Sequence, residues 1–195
     1  MILNYITLFP LVCFYGIYFA KQIALKKQGV DTNRLAKGQK PKRTRIIETF
    51  LLLATFLTAG IQFASIFFSA YMGALPLPKI VRLIGVGIAL LGVLAFLLAI
   101  LHMQSNWRAG IDETQQTNIV TNGIYKHSRN PAFVGFDLLY IGTALALPNM
   151  ALLASVLIAI TLLHIQILEE EKYLKKAFGA EYTEYKKKTP RYILF

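Results

Sequence analysis

Four stretches free of Asp, Glu, Lys and Arg dominate this chain: residues 1–20, 49–78, 83–107 and 138–168. About 20 mainly apolar residues suffice to cross a bilayer as a helix, and each stretch reaches that length. Backbone polar groups cannot stay unpaired in lipid, so these runs are expected to be helical. With 55% apolar and 16% charged side chains over 195 residues, the chain falls in the membrane class rather than among soluble domains. The expected fold class is all-α: a polytopic membrane protein of about five transmembrane helices, with a C-terminal helical hairpin and an amphipathic cytosolic tail.

The first span is read over residues 2–20 and the second over 46–72. Pro76 and Pro78 then break the helix, because proline lacks the N–H and restricts the residue before it. A third span follows over 80–103. The apolar block 132–168, interrupted only by Pro148 and Asn149, is too long for one crossing and just long enough for a tight hairpin of two. Beyond it, Leu174, Phe178, Tyr182 and Tyr185 recur at spacings of three and four, which puts them on one helix face and the tail on the membrane surface.

Charge orients the bundle. Residues 21–45 hold nine Lys or Arg against one Asp, and alternate loops carry nineteen basic residues on one side and two, Lys79 and Arg82, on the other. The positive-inside rule places the nineteen in the cytosol, and an odd number of spans then puts the N-terminus outside and the C-terminus in the cytosol. Lys21, Lys26 and Lys27 follow the first apolar run instead of preceding it, so that run is read as a retained anchor and not a signal peptide. The net charge of +11 falls in membrane-flanking loops without an aromatic-interleaved basic platform. Anionic membrane lipids are the expected partner, and nucleic acid is not. Cys13 is the single cysteine, which excludes an internal disulfide and any Cys-pair zinc site. No H-E-x-x-H, Walker loop, G-x-S-x-G or dinucleotide fingerprint occurs, and no metal is expected. Gly85, Gly87 and Gly92 lie inside an apolar helix and read as packing glycines. No internal repeat is visible, which leaves a two-fold transporter unsupported.

Polar residues gather in 106–130 and at Glu169, Glu170 and Glu171, and the hairpin between them brings both to one membrane face. Asn130 and Pro131 fit an N-cap and a first helical residue. The same helix N-terminus, with Arg129 beside it, could instead hold a carboxylate or phosphate. The three glutamates stand at the expected end of the fifth helix, where the macrodipole disfavours acids. Either the helix continues and pairs Glu171 with Lys175, or the carboxylates hold a cation. Trp107 reads as an interfacial anchor and Arg108 as a positive-inside residue, with Asp112 close by. Asp137 and His164 would be costly in lipid and are expected to be interfacial or paired.

The run N-G-I-Y-K-H-S-R-N-P-A-F-V-G-F (122–136), an apolar hairpin, then E-E-x-x-L-x-x-x-F-G-x-E-Y-x-x-Y (170–185) and T-P-R resemble the isoprenylcysteine carboxyl methyltransferase and phospholipid methyltransferase family of integral membrane enzymes. The likeness covers roughly residues 104–195. It implies an S-adenosyl-L-methionine cofactor held without a dinucleotide fold, in a cytosol-facing pocket closed by the C-terminal segment. Carried over by position, the cofactor site falls on Asn118, Ile119, Val120, Tyr125, Arg129, Asn130, Phe133, Glu170 and Glu171. Arg108 and Arg191 are candidates for orienting an anionic acceptor in catalysis. The resemblance thus divides the chain into residues 1–103, three helices with a basic loop, and 104–195, a catalytic region of cofactor loop, hairpin and lid.

The family's commonest form is Arg-His-Pro-x-Tyr, whereas this chain reads Arg129-Asn130-Pro131-Ala132-Phe133, as in bacterial-looking members. A bacterial or archaeal inner membrane is expected on that account. The implied activity is methylation of a lipophilic acceptor, prenylcysteine-like or lipid, at the cytosolic face. A phospholipid N-methyltransferase, or a methyltransferase for another lipid, phenol or thiol, stays open, as does a non-catalytic membrane scaffold.

Overall fold

A computed structural model describes residues 2–38, 40–110 and 118–193. It contains five α-helices: α1 Ile2–Lys27, α2 Lys42–Phe67, α3 Lys79–Met103, α4 Pro131–Ala146 and α5 Met150–Lys188. There is no strand among the described residues. Helices α1, α2, α3 and α5 are long and apolar enough to cross a membrane, and the protein is an integral membrane protein. The 16 residues of α4 rise only about 24 Å, roughly a turn short of the hydrocarbon thickness.

Glycines set the closest packing. α3 lies along α4, and α2 along α5. A Cβ on Gly85 would sit 2.6 Å from Gly142 O, and one on Gly92 would sit 2.7 Å from Gly135 O, so the α3 and α4 backbones touch through paired glycines. Small residues allow this approach, which gains dispersion and weak backbone contacts where lipid supplies no hydrophobic drive. Gly87, also expected to pack, has nothing within 4 Å of a built Cβ, because it points off the seam formed by its two neighbours at seven-residue spacing. Beside that seam, Phe14 stacks on Phe96 at 4.5 Å and meets Phe136 edge-on at 4.7 Å.

Buried polar groups are tied together across helices. The Tyr15 hydroxyl donates to Gln62 Oε1 at 2.7 Å, and Gln62 Nε2 donates to Thr143 Oγ1 at 2.8 Å, joining α1, α2 and α4. The expected hairpin turn forms at Pro148 and Asn149. Asn149 Oδ1 accepts from Leu152 N–H at 2.9 Å and caps α5.

Two expectations about helix ends are corrected. α1 runs on to Lys27 and α2 starts at Lys42, so the basic connection shrinks to residues 28–41. α5 does not end at the glutamates: its apolar part, residues 150–168, is followed by strong helix formers that carry the helix to Lys188. Glu169, Glu170 and Glu171 therefore sit in mid-helix, away from any terminal dipole. The break comes later, at Gly179, whose φ of 53° lies in the left-handed region.

Candidate active site: two cavities with a common wall

The 28–41 connection, the segment after α3 and the second half of α5 converge at one end of the bundle. There the peptide of Ala109 is bracketed by backbone bonds, accepting from Arg34 N–H at 2.9 Å and donating to Thr32 O at 2.8 Å. Two cavities open beneath this end. The first, of 160 Å³, is lined by Asn118, Ile119, Val120, Tyr125, Arg129, Asn130, Phe133 and Glu170, eight of the nine expected cofactor residues. The apolar face of α5 closes it with Leu174, Phe178, Tyr182 and Tyr185. The second, of 460 Å³, lies between α1, α2 and the hairpin and is walled by Tyr18, Leu51, Phe56, Phe63 and Phe136. Trp107, Arg108, Gly110, Ala132, Phe133 and Glu170 belong to both walls.

Local sequence explains the first cavity's shape. After the 3-10 turn at Gly123–Lys126, Pro131 begins α4 with its φ already suited to the first helical turn. Gly123 has φ of 57°, and a Cβ there would fall 1.9 Å from the His102 ring, so both the conformation and the space demand glycine. His102 is itself held by Nδ1 against Leu98 O at 2.7 Å. Tyr185 donates its hydroxyl to Tyr125 O at 2.6 Å, tying α5 to that turn.

Glu171 and Arg191 do other work. Glu171 is absent from the wall of either cavity; it pairs with Arg129 at 2.7 Å and with Arg191 at 2.8 Å, and not with Lys175. Burial pushes the Glu171 carboxyl up, but hydrogen bonds from Arg191 and Arg129, with their charges, outweigh burial and hold it at about 2. The C-terminal residues 189–192 wrap beneath α4 as a strap. Arg129 N–H donates to Pro190 O at 3.0 Å, while Ser128 Oγ and Asn130 Nδ2 donate to Arg191 O at 3.1 and 3.2 Å. Asn130 thus occupies the N-cap position without capping through its side chain, which the strap has taken. His164, expected to be paired, meets the Tyr192 hydroxyl at 2.6 Å. Asp137 is only partly accommodated, with Oδ1 buried and without a hydrogen bond among the described residues. Asp112 lies outside the described residues.

Glu170 stands where the cavities meet. Burial, the largest influence, raises its carboxyl; a hydrogen bond from Gln166 Nε2 at 3.0 Å lowers it, and the nearby Glu48 charge raises it again, to about 7. The Tyr182 hydroxyl and the Arg129 side chain, both of residues lining the first cavity, interact with one another. Aromatic faces beside an acid and a guanidinium suit, in their chemistry, the cofactor that the resemblance implies.

Three contributors escaped the sequence reading. Trp107 is only 4% exposed and is part of the common wall instead of a lipid-facing anchor. Gln166 is buried beside Glu170, one turn earlier on α5. Glu48 is fully buried at the start of α2. The available signal was a lone acid at the mouth of an apolar span, among basic residues.

Fold and site together define a helical integral membrane protein with a polar-ended pocket beside a lipophilic one. The profile of the phospholipid methyltransferase family matches residues 80–181, and the chain belongs to that family. It is similar to the protein-S-isoprenylcysteine O-methyltransferase of Schizosaccharomyces pombe, 38% identical over 75 residues that cover 37% of this chain and 31% of that protein. The Saccharomyces cerevisiae protein of the same name is 41% identical over 71 residues, 36% of this chain and 30% of its own. Protein-S-isoprenylcysteine O-methyltransferase B of Arabidopsis thaliana is 31% identical over 86 residues, 44% of each. The matched region thus spans less than half the length of these relatives. All three are eukaryotic and lend no support to a bacterial or archaeal host.

Proposed function

We propose that the protein is an S-adenosyl-L-methionine-dependent methyltransferase whose acceptor is a prenylcysteine-like lipid, methylated on its carboxylate at the cytosolic face. The common wall of the two cavities carries this reading. A donor in the first cavity and a lipophilic acceptor in the second would face each other across Trp107, Phe133, Arg108 and Glu170.

When bound, the cofactor supplies an electrophilic methyl group on a sulfonium. Glu170 would take its ammonium or ribose hydroxyls. Trp107 and Phe133 keep water from the junction, and a carboxylate acceptor needs no strong base, so alignment and desolvation suffice. Arg108 lines both walls and would orient that carboxylate, with its Nη1 donating to Ser105 O and Trp107 O. Arg191 acts on the site through the strap, since its guanidinium is engaged by Glu171. The first cavity is smaller than the roughly 300–1,000 Å³ usual for ligands of this size. Access for the cofactor would therefore need the α5 face bearing Phe178 and Tyr182 to shift.

The apolar walls of the second cavity, with Leu51, Phe56 and Phe63 among them, support a lipophilic acceptor. The test is calorimetric binding of S-adenosyl-L-methionine and its demethylated product to the purified protein in detergent. Methyl transfer to N-acetyl-S-farnesylcysteine and to phosphatidylethanolamine vesicles is then compared. Micromolar cofactor binding with transfer to the farnesyl compound supports the reading; transfer to the vesicles alone reassigns the acceptor. No binding at millimolar cofactor favours a non-catalytic scaffold.

A further inference from the structure

We propose that Glu48 is a positioning residue: one carboxylate oxygen holds the roof of the apolar cavity closed, and the other, through Gln166, holds Glu170 at the common wall. Its kinetic meaning rests on the methyltransferase reading of the two cavities.

Glu48 Oε2 accepts from Ala36 N–H at 2.8 Å and from Lys40 Nζ at 2.6 Å. Both side chains of the ion pair are out of solvent, 3% exposed for Lys40 and 0% for Glu48. Lys40 Nζ also donates to Arg34 O at 2.6 Å, so one ammonium and one carboxylate draw residues 34–40 onto the start of α2. Ala36 has φ of 59°, a left-handed conformation that is unfavourable for a residue bearing Cβ. A bond from its own N–H to Glu48 offsets that cost.

The roof is what this anchor secures. Leu35 lines the apolar cavity, and the Gly110 beneath it is packed so closely that a Cβ would fall 2.8 Å from Leu35 N. The other oxygen points inward: Gln166 Nε2 donates to Glu48 Oε1 at 3.3 Å and to Glu170 Oε1 at 3.0 Å. A buried ion pair is weak evidence for stability, since apolar residues of equal volume often serve as well. This one is spent on geometry, because each oxygen reaches a different wall of the site.

Trp107, the sole tryptophan, reports on the roof without any ligand. It is buried and lies in the common wall, two residues before the Ala109 peptide that the roof grips. Glu48→Gln keeps an oxygen for Gln166 but turns an amide NH₂ toward the Ala36 N–H and the Lys40 ammonium. Acrylamide quenching of Trp107 should rise severalfold in this variant, and S-adenosyl-L-methionine affinity near pH 7 should rise and not fall, since loss of the Glu48 charge favours the ionised form of Glu170. Gln166→Leu should do the reverse, leaving quenching as in the wild type and weakening cofactor binding about tenfold, the effect of one lost bond to a charged group. If Glu48→Gln does not fold, Glu48→Asp replaces it, since its shorter side chain cannot span from Ala36 to Gln166; it should show both effects. Unchanged quenching in the Glu48 variant, or identical behaviour of the Glu48 and Gln166 variants, overturns the proposal. A wild-type protein that does not bind the cofactor would sink the methyltransferase reading, while the quenching comparison still decides whether Glu48 holds the roof.

Discussion

Arg129 and Glu171, 42 positions apart, form an ion pair at 2.7 Å with side chains only 6% and 7% exposed. It joins the mouth of α4 to the middle of α5, and Arg191 closes it from the other side. Removing one partner of a buried pair leaves an uncompensated charge, at a cost of about 3–5 kcal/mol where desolvation is complete. Glu171→Ala should therefore lower the thermal unfolding temperature in detergent markedly and expose the C-terminal residues to carboxypeptidase. A strap as resistant as in the wild type would show that the pair does not hold it.

The same pair predicts an acid limit. Glu171 titrates at about 2 in the folded protein, below the usual carboxylate value of 4.5. Its contribution is thus fully present above pH 4.5 and is lost as pH falls from there toward 2. Thermal scans in detergent between pH 6 and pH 3 should show a loss of stability that is smaller in Glu171→Gln, which has no carboxyl to protonate.

Glu170 should act on ligand binding and not on folding. A charge-assisted hydrogen bond contributes roughly 1.5–3 kcal/mol, so Glu170→Gln should weaken S-adenosyl-L-methionine binding roughly ten- to a hundredfold. Stability should hold or improve, because the raised value of about 7 means that burial disfavours the charged form. By the same sign, wild-type affinity should increase from pH 6 to pH 8 as the carboxyl ionises. A variant that is destabilised yet binds normally, or wild-type affinity flat with pH, would make Glu170 structural.

The α3–α4 seam predicts sharp position dependence. A Cβ on Gly142 would lie 2.4 Å from Ala89 N, whereas one on Gly87 meets nothing. Overpacking costs about 1–3 kcal/mol, so Gly142→Ala should reduce stability by at least that much while Gly87→Ala is neutral or slightly stabilising. Equal effects of the two, read by thermal unfolding, would contradict the seam.

Orientation can be tested in cells. In a Cys13→Ser background, cysteines at the exposed positions Lys37 and Lys187 should both be protected from an impermeant thiol reagent. Labelling of either from outside would reverse the topology.

The number of helices, the hairpin at Pro148 and Asn149, and the convergence of residues 106–110 and 118–130 with the glutamates were all legible in the chain. Apolar run length, proline and charge asymmetry act locally, and in a bilayer the alternatives to a helix are few. The family resemblance, carried over by position, named Arg129 and Glu170, which line one cavity. What pairing each acid would choose was not legible, because Glu171 meets Arg129 and Arg191 across separations of 42 and 20 residues. Nor was the helix end: Glu169, Glu170 and Glu171 looked terminal because polarity begins there, yet polarity marks where lipid ends and not where backbone hydrogen bonding does. Glu48 and Trp107 looked like ordinary flanking residues. Only the packing of the 28–41 connection over the segment after α3 buries them, and burial is what makes a carboxylate or an indole part of a site.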